Sequence, residues 1–150
     1  MRKANWSIRV VTLAAFAAAS IACGGFVGQI KQGVEDTQNL QFVGALYQTY
    51  VTTKNRAPTG PDDLLNIATS QPEKDAVKAI KDGKLTVNWN INLDDNSIFP
   101  LGKSQYLIAY AASPVGDSRI VVTADTLVVT LKEADFQTKS KNTPGPGGKK

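Results

Sequence analysis

The chain has 150 residues, a formal charge of +4 and no histidine. That length holds one modest core once targeting and tail segments are set aside, and the missing imidazole excludes Ser-His-Asp and Cys-His catalysis and His-ligated zinc. Three of the 17 basic residues (Arg2, Lys3, Arg9) precede an apolar run and four (Lys139, Lys141, Lys149, Lys150) follow Thr138, which leaves ten against 13 acidic residues. The middle of the chain is therefore slightly acidic, and a nucleic-acid-binding face is not expected. No GxGxxG or GxxxxGK[ST] string occurs, so a phosphate cradle is not expected either.

Met1–Arg9 is basic, Val10–Ala22 is uncharged, and Cys23, Gly24 and Gly25 follow. This is the order of an export signal. As a helix the apolar run reaches about 20 Å, short of the roughly 30 Å hydrocarbon layer. Extension to Ile30 gives the alternative of an uncleaved spanning helix, weakened by Gly24, Gly25 and Gly28. Ala19-Ser20-Ile21-Ala22-Cys23 resembles the lipobox of bacterial lipoproteins, although Ser20 stands where that family usually has an aliphatic residue. The resemblance implies removal of residues 1–22, acylation of Cys23 and a lipid-anchored protein of the cell envelope, facing the periplasm or the cell surface. Two or three acyl chains make a lasting anchor where one does not. A plain secretory signal with an incidental cysteine is the other reading.

Residues 23–29 are expected to be a lipidated, flexible linker before a long amphipathic helix. Ile30, Val34, Thr37, Leu40, Val43, Leu46, Tyr47, Tyr50 and Val51 recur at steps of three and four, opposite Lys31, Glu35, Gln38, Gln41, Gln48 and Thr52. The polar face is poor in Lys and Arg, so a sheet rather than a membrane surface is expected against the apolar stripe. Lys54–Pro61 is loop punctuation, and Pro61 opens a short helix with Asp62 and Asp63 in its first turn. The helix dipole accounts for those acids without a catalytic role. Ser70-Gln71-Pro72-Glu73 is a capping box, followed by Ala76, Val77, Ala79 and Ile80 until Gly83 stops the helix.

From Leu85 the period is two: Leu85, Val87, Trp89 and Ile91 alternate with Thr86, Asn88, Asn90 and Asn92, which predicts a strand with one wet face. Leu93–Lys103 is a loop in which Asp94, Asp95 and Asn96 lack the order of a calcium loop. Strands are expected at Gln105–Ala111, Arg119–Ala124 and Leu127–Leu131, the last two joined by a tight turn at Asp125 and Thr126. Thr130-Leu131-Lys132-Glu133 has capping-box spacing and is expected to open a last helix to Phe136. The globular domain is thus expected over 30–137, with a disordered tail over 138–150.

The resulting fold class is α+β, a long amino-terminal amphipathic helix on a small antiparallel sheet of about four strands. Asn39, Leu40, Val43, Gly44, Tyr50 and Pro58 resemble the segment after the membrane helix in planctomycete-type pilin-like proteins, relatives of type II secretion pseudopilins. Ala124-Asp125-Thr126-Leu127-Val128 is similar to their Ala-Asp-Gly-Ser-Val hairpin. Prepilins are cut before a Phe-like residue that opens the apolar helix, with a glutamate at the fifth position. Here Gly25-Phe26 follows the apolar run, and the fifth position is Ile30. The resemblance implies a pilin-like domain on a lipid anchor and brings no catalytic residue, cofactor or metal.

Two functions are compatible with this pattern. One is a non-catalytic structural or interaction module held at the membrane through Cys23 and docking an envelope protein. The other is a small-ligand or glycan-binding lipoprotein using Trp89, Tyr106, Tyr110 and the Asn88, Asn90, Asn92 face. Aromatics around a concave site favour the second; a filled helix–sheet interface favours the first.

Overall fold

The computed structural model describes the backbone of residues 16–143 and the side chains of residues 28–143. Residues 1–15, most of the expected export signal, and residues 144–150 lie outside it. The chain divides into two units, Met1–Gln32 and Gly33–Lys150. In the first, the described backbone is helical and belongs to α1 (Phe16–Lys54). Residues 23–29, expected as a flexible linker, belong to this helix. Its glycines lower helix propensity by about 1 kcal/mol each relative to alanine, which an alanine-rich helical context tolerates. No helix among the described residues is long and apolar enough to cross a membrane.

The second unit has the expected class. Its part of α1 is followed by α2 (Pro61–Leu65), α3 (Gln71–Lys81), β1 (Leu85–Val87), two single 3₁₀ turns, β2 (Leu107–Ala111), β3 (Ser118–Thr123), β4 (Val128–Lys132) and α4 (Glu133–Asn142). The four strands form one sheet in the order β1-β2-β3-β4, antiparallel throughout. Short turns join β2 to β3 and β3 to β4, while a long loop over residues 88–106, carrying both 3₁₀ turns, links β1 to β2.

The second unit's part of α1 lies on one face of the sheet. Leu40, Val43, Tyr47 and Val51 share a core with Leu85, Val87, Ile108, Ala109, Ile120 and Val122. A register shift between Leu107 and Ala109 places both Ile108 and Ala109 in this cluster, as a bulge does when it interrupts alternation. The stripe is not covered along its whole expected length, for Val34 is 55% exposed whereas Leu40 is fully buried. A second cluster joins Leu46 and Tyr50 of α1 to Leu64 and Val77. On the opposite sheet face, Leu107 and Val121 pack beneath Phe136 of α4.

Local signals fix the middle helices. Pro61 is the first residue of α2 and Asp62 and Asp63 occupy its first turn. Ser70 and Glu73 make the reciprocal capping box of α3. At its other end Gly83 has φ 74°, its N–H donates to the Ile80 carbonyl and that of Lys84 to the Ala79 carbonyl. That pair of bonds is a Schellman ending, which needs the left-handed conformation glycine adopts at low cost.

Three expectations are corrected. The strand from Leu85 ends at Val87, because Asn90 turns left-handed at φ 65° and gives its N–H to the Pro58 carbonyl. Burial alternates beyond it all the same, with Ile91 and Leu93 inside. Thr130 does not cap a helix: it pairs with Ile120 inside β4, and α4 starts at Glu133 behind a Lys132 that makes no side-chain cap. That helix also continues to Asn142 instead of yielding to a tail at Thr138. Lys139 Nζ donates to the Ser104 carbonyl at 2.7 Å, and Thr143 Oγ1 accepts from the Leu107 N–H at 2.8 Å.

Candidate functional site

Cys23, the expected lipid attachment point, has a helical backbone within α1; its side chain lies outside the described residues. The remaining expected site residues are dispersed. Tyr106 is buried on the α1 side, edge-on to Phe99 at 5.2 Å between ring centroids. Trp89 stacks with Tyr47 at 6.5 Å. Tyr110 belongs to the opposite sheet face, edge-on to Phe136 at 5.0 Å. A single ligand cannot meet all three rings, because the sheet itself separates them.

The asparagine row braces backbone. Asn88 donates its side-chain amide to the Leu107 carbonyl at 2.8 Å, continuing by side chain the pairing that β1 has just left. Asn92 Oδ1 accepts from the Asp94 N–H at 3.1 Å. Between them, Tyr47 ties the segment to α1: its hydroxyl donates to the Ile91 carbonyl at 3.1 Å and accepts from the Ile91 N–H at 3.0 Å. Burial pushes this phenol well above its ordinary range, with the bond to Ile91 opposing.

Asp63 and Asp95 are met by donors that favour their ionised form. Asp63 accepts from the Thr59 N–H at 2.8 Å, the Thr59 hydroxyl at 2.8 Å and the Tyr50 hydroxyl at 2.9 Å. The Thr59 N–H is the chief reason its pKa is lowered. Asp62 instead pairs with Lys81 at 2.7 Å, so the two neighbours serve different contacts. Asp95 caps a 3₁₀ turn through the Ser97 N–H at 3.0 Å. Among the described residues no group of three His, Cys, Asp or Glu side chains could hold a metal ion.

Two constellations had no local signature. Arg119 on β3 pairs with Glu133 at 3.1 Å, donates to the Ala111 and Ala112 carbonyls at 2.9 and 2.7 Å, and places its guanidinium 4.4 Å from the Phe136 ring centre. It thereby fastens α4 to the sheet, since a planar guanidinium can stack and donate from its edge at once.

The other is a groove of about 360 Å³ between α1 and α3. Glu35, Gln38, Asn39 and Phe42 form one wall, and Asp75, Lys78, Ala79 and Asp82 the other. Lys84, just before β1, pairs with Glu35 at 3.6 Å, and Lys78 pairs with Asp82.

No family model, characterised protein or solved structure matches this chain. The two stretches that carry the pilin-like resemblance do meet in space. A Cβ placed on Gly44 would lie 3.1 Å from Val122 Cγ1 and 3.7 Å from the Thr126 carbonyl oxygen, so a glycine lets the β3–β4 turn approach α1. Thr126 stands where the resembled hairpin has glycine, and it adopts φ 64°. The turn comprises three residues rather than two, because the Thr123 N–H donates to the Leu127 carbonyl; a left-handed third residue is the usual solution for that length.

Proposed function

We propose that this chain is a non-catalytic interaction module of the bacterial cell envelope, held at the membrane through lipid on Cys23 and presenting a pilin-like domain to an envelope protein. Three of the acids support the non-catalytic part of this reading. Asp63, Glu73 and Glu133 are each surrounded by donors that lower their pKa, the reverse of the raised carboxyl that general-acid catalysis near neutral pH requires. Tyr47, Trp89, Tyr106 and Tyr110, the aromatics first considered for a ligand or packed beside them, are likewise held within apolar clusters. What remains available for a protein partner is surface on the polar side of α1, where Gln41 and Ala45 are exposed.

Mass spectrometry of the native amino-terminal peptide tests the anchor. Loss of residues 1–22 with acyl mass on Cys23 is expected. An intact Met1 supports a second reading, an uncleaved apolar helix of pseudopilin-like type, which the unbroken helical backbone from Phe16 past Cys23 favours. A photoreactive residue at exposed position Gln41 tests the docking role. Irradiated cells should yield a discrete adduct with an envelope protein, and a chain that crosslinks only to solvent or lipid overturns it.

A further inference from the structure

We propose that the groove between α1 and α3 binds a neutral saccharide, with the C–H face of a pyranose ring against Phe42 and its hydroxyls on the Asn39 and Gln38 amides. This goes beyond the anchoring role and does not depend on it. Charge comes first. The two lysines of the groove are already paired, Lys84 with Glu35 and Lys78 with Asp82, and the remaining acid, Asp75, accepts from Gln71 Nε2 at 2.9 Å. Both pairs are solvent-exposed and leave the groove with no excess positive charge to draw an anion, so a neutral ligand is the one that fits without changing them.

Hydrogen-bonding capacity points the same way. Gln38 and Asn39 make no side-chain hydrogen bond to any described residue, and each amide offers both donors and an acceptor. Sugar hydroxyls have the same dual character, so an amide can donate to one and accept from its neighbour. Phe42 supplies the apolar element: it is half-buried and packs against the main core, which fixes the ring while leaving part of it on the groove. The negative face of an aromatic ring suits the slightly positive C–H groups of a pyranose. Ala79 is buried opposite, and its small side chain leaves the space open. A volume of about 360 Å³ lies within the range of small-molecule sites.

The test titrates the full chain in detergent micelles with maltotriose, cellotriose and the N-acetylglucosamine trimer, followed by amide NMR spectra. At least one sugar should give saturable shifts at the Gln38 and Asn39 side-chain amides and at Ala79, and raising the salt concentration should leave the affinity unchanged. Replacing both Gln38→Ala and Asn39→Ala should weaken binding by about tenfold or more, while Gln41→Ala outside the groove leaves it intact. Both substituted positions are on the helix surface or its margin, and an unchanged backbone spectrum checks that folding is retained. Absence of saturable shifts at about 10 mM of every sugar, shifts confined to other surfaces, or affinity that falls with salt overturns the proposal. The amino-terminal mass is untouched by any of these results, so the two ideas fail separately.

Discussion

Thr126 and Tyr47 show how single side chains decide the geometry. A β-branched residue at φ 64° sits in a region that costs an L-residue about 1–2 kcal/mol. Glycine removes that cost but loses more freedom on folding. Thr126→Gly is therefore expected to stabilise the domain by a net 0.5–1 kcal/mol or so, read as a raised melting temperature. Tyr47→Phe should act in the opposite sense. Its hydroxyl is bonded to both backbone groups of the buried Ile91, and leaving those unsatisfied costs about 1–3 kcal/mol. Denaturant unfolding with an unchanged m-value would measure it. A Y47F variant as stable as the parent chain would mean that water replaces the hydroxyl.

Among the elements, α3 is the one most strongly specified by its own residues. Glu73 accepts from the Ser70 N–H at 2.8 Å and the Thr69 N–H at 2.7 Å, and the Ser70 N–H is the first cause of its lowered pKa. Removing the reciprocal bond by Ser70→Ala is expected to cost about 1 kcal/mol, seen in thermal unfolding. Acid should loosen three helix starts together, because Asp63, Glu73 and Glu133 all have folded-state values below the ordinary 3.8 or 4.5. A depressed carboxyl contributes stability above its unfolded pKa and loses it as pH falls through the folded one. Stability should hold from neutral pH to about 5 and decline below about 4.5; a midpoint that is flat down to about pH 3 would contradict it. This element was legible because Ser70, Pro72, Glu73 and Gly83 are read within one or two turns of chain. Thr130-x-x-Glu133 offers the same spacing, but Val128–Lys132 also suits a strand, and pairing with β3 outweighs a cap. The Arg119 clamp and the groove combine residues far apart in sequence, so no local pattern announces them.

At the scale of the whole molecule, α4 is held by little apolar surface and much polar geometry. Phe136 is its one buried apolar residue, and Arg119 spans the Glu133 carboxylate, two carbonyls of the β2 end and the Phe136 ring. Arg119→Ala should release this helix before the rest unfolds. Hydrogen exchange is expected to quicken over 133–142 while α1 and β2 stay protected, and uniform acceleration would instead mean one cooperative unit. Ending the chain at Gln137 should have a related effect, since it removes the hydroxyl that accepts the Leu107 N–H.

The order of elements sets a schedule for maturation. Leu40, Val43, Tyr47 and Val51 leave the ribosome and any translocation channel first, yet their burial partners Ile108, Ile120 and Val122 emerge more than fifty residues later. Helical turns form within microseconds, whereas synthesis proceeds at about 5–20 residues per second. The newborn helix therefore waits for seconds with a greasy flank bare, the interval in which exposed apolar surface favours aggregation.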